Sequence, residues 1–409
     1  MGLTHRMRPL VAAAALSAAA VGLAACSSST TAASSTTSAA AAATGSTSAA
    51  ATAGSGSYVA QAAAALQGDY KGTSEQPPST APKVKGVQNI WVISCGQEAE
   101  GCSRPVAGAV AAAQALGWNT KVFDGQFGAD DAFNTGIRQA VAAKATAILL
   151  IGVDCNQAKA GLQVAKTAGI PVLGANSFDC NDPALNAGPA LFAGVEQFVS
   201  TTPTSADLNE AVGAAKADWL IAHTAGKAKV IEVGLTGLTG YYYENLGFAK
   251  ELAKCSGCSI VGKALGNPTD LSNGVLQQSF SSTLTANPQA NAVMADGDSI
   301  VTGAEVPQAL QSAGRVSSVL VIGSEGFTQN LELIRQSRGQ NAAVPFDELW
   351  VGWGLVDETL RVLAKQPLAD EGMGFQVVDT THNMPAAGQN YTDPINFIAA
   401  YKKAWGVSG

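Results

Sequence analysis

The stretch from Thr146 to Ser177 constrains the fold most, because its pattern changes from strand to helix and back within a short span. Ala147–Ile151 is an unbroken apolar run, as expected of a strand buried on both faces of a parallel sheet. A helix is predicted from Asn156 to Ala168, ended by Gly169, and Pro171–Gly174 is the next strand. Such a strand, helix and strand form a right-handed crossover. The unit predicts an α/β fold with a parallel sheet.

Polar residues follow both strands of this unit. Asp154 and Cys155 come after the first strand, and Asn176 and Ser177 come after the second. In open α/β sheets the carboxyl ends of parallel strands share one edge, and ligands bind there. We therefore expect a ligand site at this edge.

The same alternation extends in both directions along the chain. It begins at Gln88, restarts at Lys229 after a polar stretch and a helix, and continues to Ser337. Two successive runs of this kind predict two doubly wound parallel-sheet lobes. The 409 residues of the chain are enough for such an arrangement.

The N-terminus has the pattern of an export signal. Met1–Pro9 carries two arginines, and Leu10–Leu23 is an apolar or small run that is too short to span a bilayer. The run ends in Leu23-Ala24-Ala25-Cys26, which resembles the bacterial lipobox. We predict a signal peptide over 1–25, a lipidated Cys26 and attachment to the extracytoplasmic face of the cell membrane. The alternative is ordinary secretion with a chance cysteine.

Residues 26–86 are predicted to form a disordered tether. Ser27 to Ser57 consists of serine, threonine, alanine and glycine, which cannot bury enough surface to offset the entropy of ordering. Tyr58–Gln67 is compatible with a short helix, and the three prolines in Glu75–Lys85 indicate a second linker. The folded part is expected to begin at Val87.

Composition and histidine content argue against several functions. The formal charge is −7, and the arginines of the leader contribute to it, so the mature chain is more acidic still. A chain without a basic run has no electrostatic footprint for nucleic acid. After the leader the histidines are His223 and His382, with no metal-ligand spacing and no G-x-S-x-G motif. We expect no enzyme, no metal and no cofactor.

Several short motifs in order carry a resemblance to a known family. They are ALGW at Ala115–Trp118, AGIPV at Ala168–Val172, ADGDSIVTGA at Ala295–Ala304, and Ala313-Gly314-Arg315 before a strand that ends in VIGSEG. Together they resemble a type I periplasmic solute-binding protein of the ribose- and galactose-binding branch. The resemblance implies two lobes joined by a three-stranded hinge, with crossovers near Glu196–Val199, near Pro345–Glu348 and after Ala364.

The resemblance also implies domain bounds and a function. The first lobe would span 87–196 and be completed by about 347–366, the second would span 197–346, and 367–409 would be an extension packed on the lobes. Such a monomer captures a small polar molecule, sugar-like or other, and delivers it to the permease subunits of an ABC importer. The alternative is a ligand-sensing lipoprotein that presents its closed form to a receptor.

Candidate cargo ligands are polar residues that the resemblance and the strand ends place in the cleft: Gln97, Glu98, Asp154, Asn176, Tyr242, Glu244, Asp298, Glu325 and Asp347. Carboxylates are acceptors only, so these favour a cargo with amino or hydroxyl donors. The Asp-Arg pair of the sugar binders is replaced here by Asn176-Ser177. The sequence therefore does not demonstrate the usual monosaccharide clamp.

Six cysteines remain besides Cys26, an even number in an exported chain, where disulfides are permitted. Six allow 15 pairings. Cys95 and Cys102 bracket one loop, and Cys255 and Cys258 can close a small ring. Cys155 and Cys180 would then follow adjacent strands about 4.8 Å apart, close enough to be bridged. Three disulfides are predicted; the alternative is six free buried thiols.

Overall fold

The structure, a computed structural model, describes residues 49–407, with side chains from Tyr58 onward. The predicted signal peptide, Cys26 and the first part of the predicted tether lie outside the described residues. The helices are α1 Ala49–Lys71, α2 Glu100–Ala115, α3 Ala132–Ala142, α4 Cys155–Thr167, α5 Ser205–His223, α6 Thr239–Leu252, α7 Pro268–Ser272, α8 Val275–Ala286, α9 Asp298–Gly303, α10 Val306–Ser312, α11 Thr328–Arg335, α12 Glu348–Leu363 and α13 Phe397–Trp405. The strands are β1 Asn89–Ser94, β2 Asn119–Asp124, β3 Ala147–Ile151, β4 Val172–Ala175, β5 Gly194–Val195, β6 Lys229–Leu235, β7 Ser259–Gly266, β8 Ala292–Ala295, β9 Leu320–Ser324, β10 Ala342–Val344 and β11 Val378–Asp379.

Two sheets form the centres of two lobes, which confirms the predicted α/β fold. The first sheet has the order β2-β1-β3-β4-β5, and all of its strands are parallel. The second has the order β11-β10-β9-β8-β6-β7, with only the terminal β11 antiparallel. Every residue of β3 is buried, because helices cover both faces of a parallel sheet. The alternation of strand and helix thus brings the carboxyl ends of the strands to one edge of each lobe.

Three chain crossovers connect the lobes and bond to one another. The amide of Val199, on the first crossover, donates to the carbonyl of Met373 on the third. The amide of Gln376, further along the third crossover, donates to the carbonyl of Pro345 on the second. These bonds join the three crossovers side by side, in the order expected of the three-stranded hinge.

Glycines allow the helices flanking the hinge to pack backbone against backbone. A Cβ atom added to Gly108 on α2 or to Gly352 on α12 would lie 2.2 Å from a carbonyl oxygen of the facing helix. At Gly213 on α5 and Gly247 on α6 the corresponding distance would be 1.9 Å. These four positions require glycine for steric reasons. Through the first pair, α12 packs on α2 of the first lobe although it follows the second lobe in sequence.

The segment from α1 to residue 86 corrects the prediction of a disordered tether up to Val87. Ala62, Leu66 and Tyr70 of α1 are buried in one core with residues of α5. After α1 the chain pairs with the third crossover, where the amide of Thr73 donates to the carbonyl of Phe375 at 3.0 Å. Serine, glycine and alanine content suggested disorder, but the apolar face of α1 is stabilised by packing that composition does not reveal.

The C-terminal extension packs beside the same hinge. Phe397, Tyr401 and Trp405 of α13 are buried. The ring of Trp405 stacks on Trp353 of α12 with centroids 5.3 Å apart, and Phe397 stacks on Trp350. Aromatic faces in such stacks contribute beyond the area that they bury. Both ends of the folded part therefore pack against the hinge.

Three disulfides are present, in the pairs that the sequence predicted. They join Cys95 to Cys102, Cys155 to Cys180 and Cys255 to Cys258. The Cα atoms of the second pair are 5.0 Å apart, as expected for residues that follow neighbouring parallel strands. Among residues 49–407 no helix combines the length and the apolar character needed to cross a membrane.

Candidate functional site

The strand ends of the two lobes face each other, and side chains bond directly between them. The hydroxyl of Thr239, at the start of α6, donates to Asp154 Oδ2 of the first lobe at 2.6 Å. The hydroxyl of Tyr243, one turn later, donates to Asp182 Oδ1 at 2.8 Å, and its ring stacks on Phe178. Polar groups of both lobes therefore meet in a closed cleft.

Asp154 also organises the loops of the first lobe. It caps α4, and its Oδ1 accepts from the amide of Phe178 at 3.0 Å, on the loop after β4. Burial raises the pKa of the Asp154 carboxyl, although the hydrogen bonds from Thr239 and Phe178 oppose this shift. The predicted cleft position of Asp154 is thus occupied, but its two oxygens are bonded within the protein.

A further contact between the lobes runs through the C-terminal extension. Asn390 Nδ2 donates to Glu100 Oε1, at the start of α2, at 2.6 Å. Asn390 Oδ1 in turn accepts from the amide of Thr328, at the start of α11, at 2.6 Å. Asn390 therefore bridges a helix of each lobe at one side of the cleft.

Glu325 lies where the sequence predicted, on the loop after β9 at the cleft. Its Oε2 accepts from the amide of Ser299 at 3.0 Å, and its Oε1 accepts from the hydroxyl of Tyr241 at 3.3 Å. A Cβ atom added to Gly101 of the first lobe would lie 3.4 Å from Glu325 Oε1. The side chain thus extends from the second lobe to the first. Burial raises the pKa of Glu325 above its ordinary value.

Asp298 does not face a cargo, which corrects its prediction as a ligand. It is fully buried, and Oδ1 accepts from Gln340 Nε2 at 2.7 Å. Oδ2 accepts from the amides of Gly326 and Phe327, at 2.8 and 3.2 Å. Both oxygens are used within the lobe, because the loop that carries Glu325 leaves backbone amides that need an acceptor. Asp298 is therefore a positioning residue for Glu325.

Tyr242 and Glu244 are also placed differently from the prediction. Tyr242 is 54% exposed and contacts Tyr243 only by its edge, whereas Tyr241 and Tyr243 make the cleft contacts. Glu244 is buried inside the second lobe, where it forms an ion pair with Lys216. Successive side chains on a helix point about 100° apart, so Tyr242 points away from Asp182, which Tyr243 contacts.

Asp347 is a capping residue rather than a cargo ligand. Its Oδ1 accepts from the amide of Leu349 in the first turn of α12, and its Oδ2 accepts from the amide of Asp393 in the extension. The next residue, Glu348, is 4% exposed, and its Oε2 has no hydrogen-bond partner. The free carboxylate of this crossover is thus one residue further along than predicted.

The remaining predicted residues lie at the rim of the first lobe. Gln97 Nε2 donates to Ser94 Oγ at 2.7 Å, so its side chain folds back onto β1. Glu98 is exposed. Asn176 is half-buried and has a left-handed backbone with φ of 47°, which turns the chain directly after β4.

Some cleft residues were missed by the sequence reasoning. Phe127 is 44% exposed, and its ring covers Gly96 on the first cleft loop. It belongs to a segment in which Gln126, Phe127, Asp130 and Asp131 all have positive φ. Non-glycine residues in this conformation store backbone strain and cluster at functional sites. A cavity of about 250 Å³ lies beside this ring. The two glycines around Gln126-Phe127, directly after β2, could have indicated this turn from the sequence.

Glu348, Arg104, Thr239 and Tyr243 were missed as well. Glu348 ends the predicted crossover Pro345–Glu348, Arg104 lies in the first turns of α2 near Glu348, and Thr239 and Tyr243 begin the helix after β6. Topology pointed to these regions but not to the residues. A metal site has no support: within the described chain, Cys155, Asp179 and Cys180 are the group close enough to share an ion, and the two cysteines are joined in a disulfide.

Comparisons with known proteins agree with this architecture. A sequence profile described as a periplasmic binding protein domain matches residues 90–367. A solved structure of GanP, a glucose-galactose binding protein from Geobacillus stearothermophilus, has a TM-score of 0.60 at 16% identity and covers 73% of this chain and 99% of its own. The search of curated proteins found no match.

Two further solved structures are similar. The arabinose-transporter binding component from Shewanella sp. ANA-3 has a TM-score of 0.58 at 19% identity, over 77% of this chain and 95% of its own. An Actinobacillus succinogenes solute binding protein with bound D-allose has a TM-score of 0.61 at 20% identity, over 72% and 98%. At these identities the similarity shows the fold. With the profile match over most of the chain, it follows that this chain belongs to the periplasmic binding protein family, as a non-enzymatic type I solute-binding protein.

Proposed function

We propose that this protein captures a small polar molecule between its two lobes and delivers it to the permease of an ABC importer. The observation that carries this proposal is the pair of polar contacts across the cleft, from Thr239 to Asp154 and from Tyr243 to Asp182. A ligand that touches both lobes favours the closed state by its differential affinity. The similar structures include a glucose-galactose binding protein and the binding component of an arabinose ABC transporter, which supports a small polar cargo.

A thermal-shift screen of sugars, polyols, amines and aromatic acids tests this function. A ligand at 100 times its Kd stabilises the folded protein by about 2.7 kcal/mol, which raises the melting temperature measurably. Thr239→Val should reduce the shift given by any hit, because it removes a donor that bonds the lobes together. Thr236→Val, an exposed change on the preceding loop, is the matched control. A screen without any stabilising solute would contradict the proposal.

Membrane attachment through Cys26 is the second part of the proposal. It rests on the lipobox-like Leu23-Ala24-Ala25-Cys26 and on the small, uncharged residues that follow, which suit a tether. Cys26→Ala should release the protein from the membrane fraction while its melting temperature stays unchanged. Ser27→Ala should remain bound. Retention of the Cys26→Ala protein on the membrane would contradict lipid anchoring.

A further inference from the structure

One buried carboxylate in the cleft lacks a partner. Glu348 begins α12, directly after the second crossover, and is 4% exposed. No group of the described chain donates a hydrogen bond to its Oε2. Leaving a buried acceptor unpaired costs about 1–3 kcal/mol. A carboxylate in this state needs a donor that the protein does not supply.

The charges around Glu348 are mostly negative. Its charged neighbours are Glu325 of the second lobe, Arg104, Asp347 and Glu100. Arg104 is the cation of this group, and its Nη1 lies 3.9 Å from Glu100 Oε1. Asp347 accepts two backbone hydrogen bonds, which satisfy its oxygens without neutralising its charge. Lys216 acts on Glu325 as well, but it is already paired with Glu244. Carboxylates therefore outnumber cations in this region.

The chemistry of the missing donor follows from burial and charge together. In its ionised form Glu348 only accepts hydrogen bonds, so the ligand group that stabilises this form must donate. A hydroxyl would satisfy the free oxygen but leave the excess negative charge, and buried charge is costly unless it is paired. An ammonium group provides both the donor and the opposite charge, and charge-assisted hydrogen bonds are about twice as strong as neutral ones.

We propose that the cargo carries a protonated amine, which the closed cleft holds between Glu325 of the second lobe and Glu348 at the start of α12. The inference rests on the proposed capture function and names the chemical class of its cargo. Because the two carboxylates come from different lobes, the amine would also link cargo recognition to closure. A hexosamine fits this description, since its hydroxyls can serve the remaining polar groups of the cleft.

Proton release provides a readout specific to this arrangement. Burial, and next the charge of Glu325, raise the pKa of Glu348 well above its ordinary value. Burial likewise raises the pKa of Glu325. Both raised pKa values favour the protonated form of these carboxyl groups in the empty protein. When an ammonium group binds, a proton held by either carboxyl group leaves for the buffer and the ammonium keeps its own.

Isothermal titration calorimetry at pH 7 tests the proposal with matched probes. D-glucosamine, D-galactosamine and D-mannosamine are compared with the parent hexoses and with the N-acetyl derivatives, and putrescine serves as an amine without a sugar ring. We expect at least one amine to bind ten-fold or more tightly than its neutral counterpart. Its binding enthalpy should change with the ionisation enthalpy of the buffer, which reports proton release.

Two variants assign the preference to the carboxylates. Glu348→Gln and Glu325→Gln should each lower amine affinity ten-fold or more and abolish the proton release. Glu75→Gln removes an exposed carboxylate and should change neither. Melting curves show whether each variant is folded. If one of the two Gln variants does not fold, the proposal is tested with the other.

Three results would overturn the inference: neutral sugars that bind as tightly as the amines, no binding by any amine, or an amine preference that survives both Gln variants. Tight binding of neutral sugars would refute the amine assignment and leave the capture function standing. The broad thermal-shift screen decides separately whether any solute is captured, so the two failures can be distinguished.

Discussion

The acidic residues near the cleft separate into two groups. Asp154 and Asp298 are satisfied by hydroxyl, amide or backbone donors of the protein, and they hold loops in position. Glu348 has a buried oxygen without a donor, and Glu325, although it accepts from Ser299 and Tyr241, extends across to the first lobe. At the residue scale, cargo contacts are therefore expected from the second group and loop geometry from the first.

Asp298→Ala should destabilise the protein and weaken cargo binding without removing a cargo contact. It would leave Gln340 and the amides of Gly326 and Phe327 without their acceptor. At about 1–3 kcal/mol for each unpaired buried group, partly relieved by water, we expect a loss of roughly 2–4 kcal/mol in urea unfolding. Asp270→Ala, at the N3 position of the capping box of α7, is a control expected to cost about 1 kcal/mol. Equal losses in both variants would contradict the assigned role.

The sequence indicated the region of the site better than its residues. Asp154 and Glu325 follow predicted strands, and strand ends are set by topology, so both were located at the cleft. Tyr242 was chosen instead of Tyr241 and Tyr243 because the sequence does not show where each side chain of the first helical turn points. Glu348 was missed because its lack of a donor is a property of packing, which no local pattern encodes.

At the scale of elements, α1 and the segment after it are part of the folded domain. Leu66 and Tyr70 are buried against the second lobe, and Thr73 pairs with the third crossover. A chain that begins at residue 87 should therefore be less stable than one that begins at residue 49. Burial of a large apolar side chain contributes about 1.5–3 kcal/mol, so we expect a loss of roughly 3–5 kcal/mol in thermal or urea unfolding.

A point variant checks that this loss comes from packing. Leu66→Ala should cost about 2–4 kcal/mol, whereas Gln61→Ala, at an exposed position on the same helix, should be nearly neutral. Equal stability of the two truncated chains would show that α1 makes no net contribution to folding.

The hinge contains buried glutamates whose ionisation should make stability depend on pH. Glu196, Glu358 and Glu371 are fully buried, and each has an oxygen without a hydrogen-bond partner. Burial raises the pKa of Glu358 to about 8 and those of Glu196 and Glu371 well above the ordinary value. The nearby Arg361 is already paired with Asp357 at 2.7 Å.

Because the pKa values are raised, the folded state holds these protons more tightly than the unfolded state. The stability that the three glutamates contribute is fully present below pH 4, and it is lost as pH rises from the unfolded pKa near 4.5 towards 8. The melting temperature should decrease across this window. Glu358→Gln should make the decrease shallower, because glutamine cannot ionise, and Glu75→Gln should not. A melting temperature that rises between pH 5 and pH 8 would contradict this assignment.

Elements were predictable where their pattern was local. The buried run of β3 and the helix-ending glycine after α4 both formed as expected, and the pairing of Cys155 with Cys180 followed from the adjacency of β3 and β4. At the N-terminus the sequence allowed only a short helix over Tyr58–Gln67, whereas α1 extends over Ala49–Lys71, because it is held by α5, which is distant in sequence.

At the scale of the whole molecule, two lobes close on each other through polar side chains. Thr239 and Tyr243 of the second lobe donate to Asp154 and Asp182 of the first. The crossovers that connect the lobes bond to one another and form a hinge that both chain ends cover. Repeated strand-helix alternation predicted two lobes, but not the closed arrangement, which depends on contacts between residues far apart in the chain.

Small-angle X-ray scattering of the chain from residue 49, with and without a solute identified by the thermal-shift screen, tests the central account most directly. Solute binding should shift the population from open to closed and lower the radius of gyration. Thr239→Val should require more solute for the same change. The account predicts that the radius of gyration decreases with solute concentration and reaches a plateau. A radius of gyration that stays unchanged at saturating solute would contradict capture between two closing lobes.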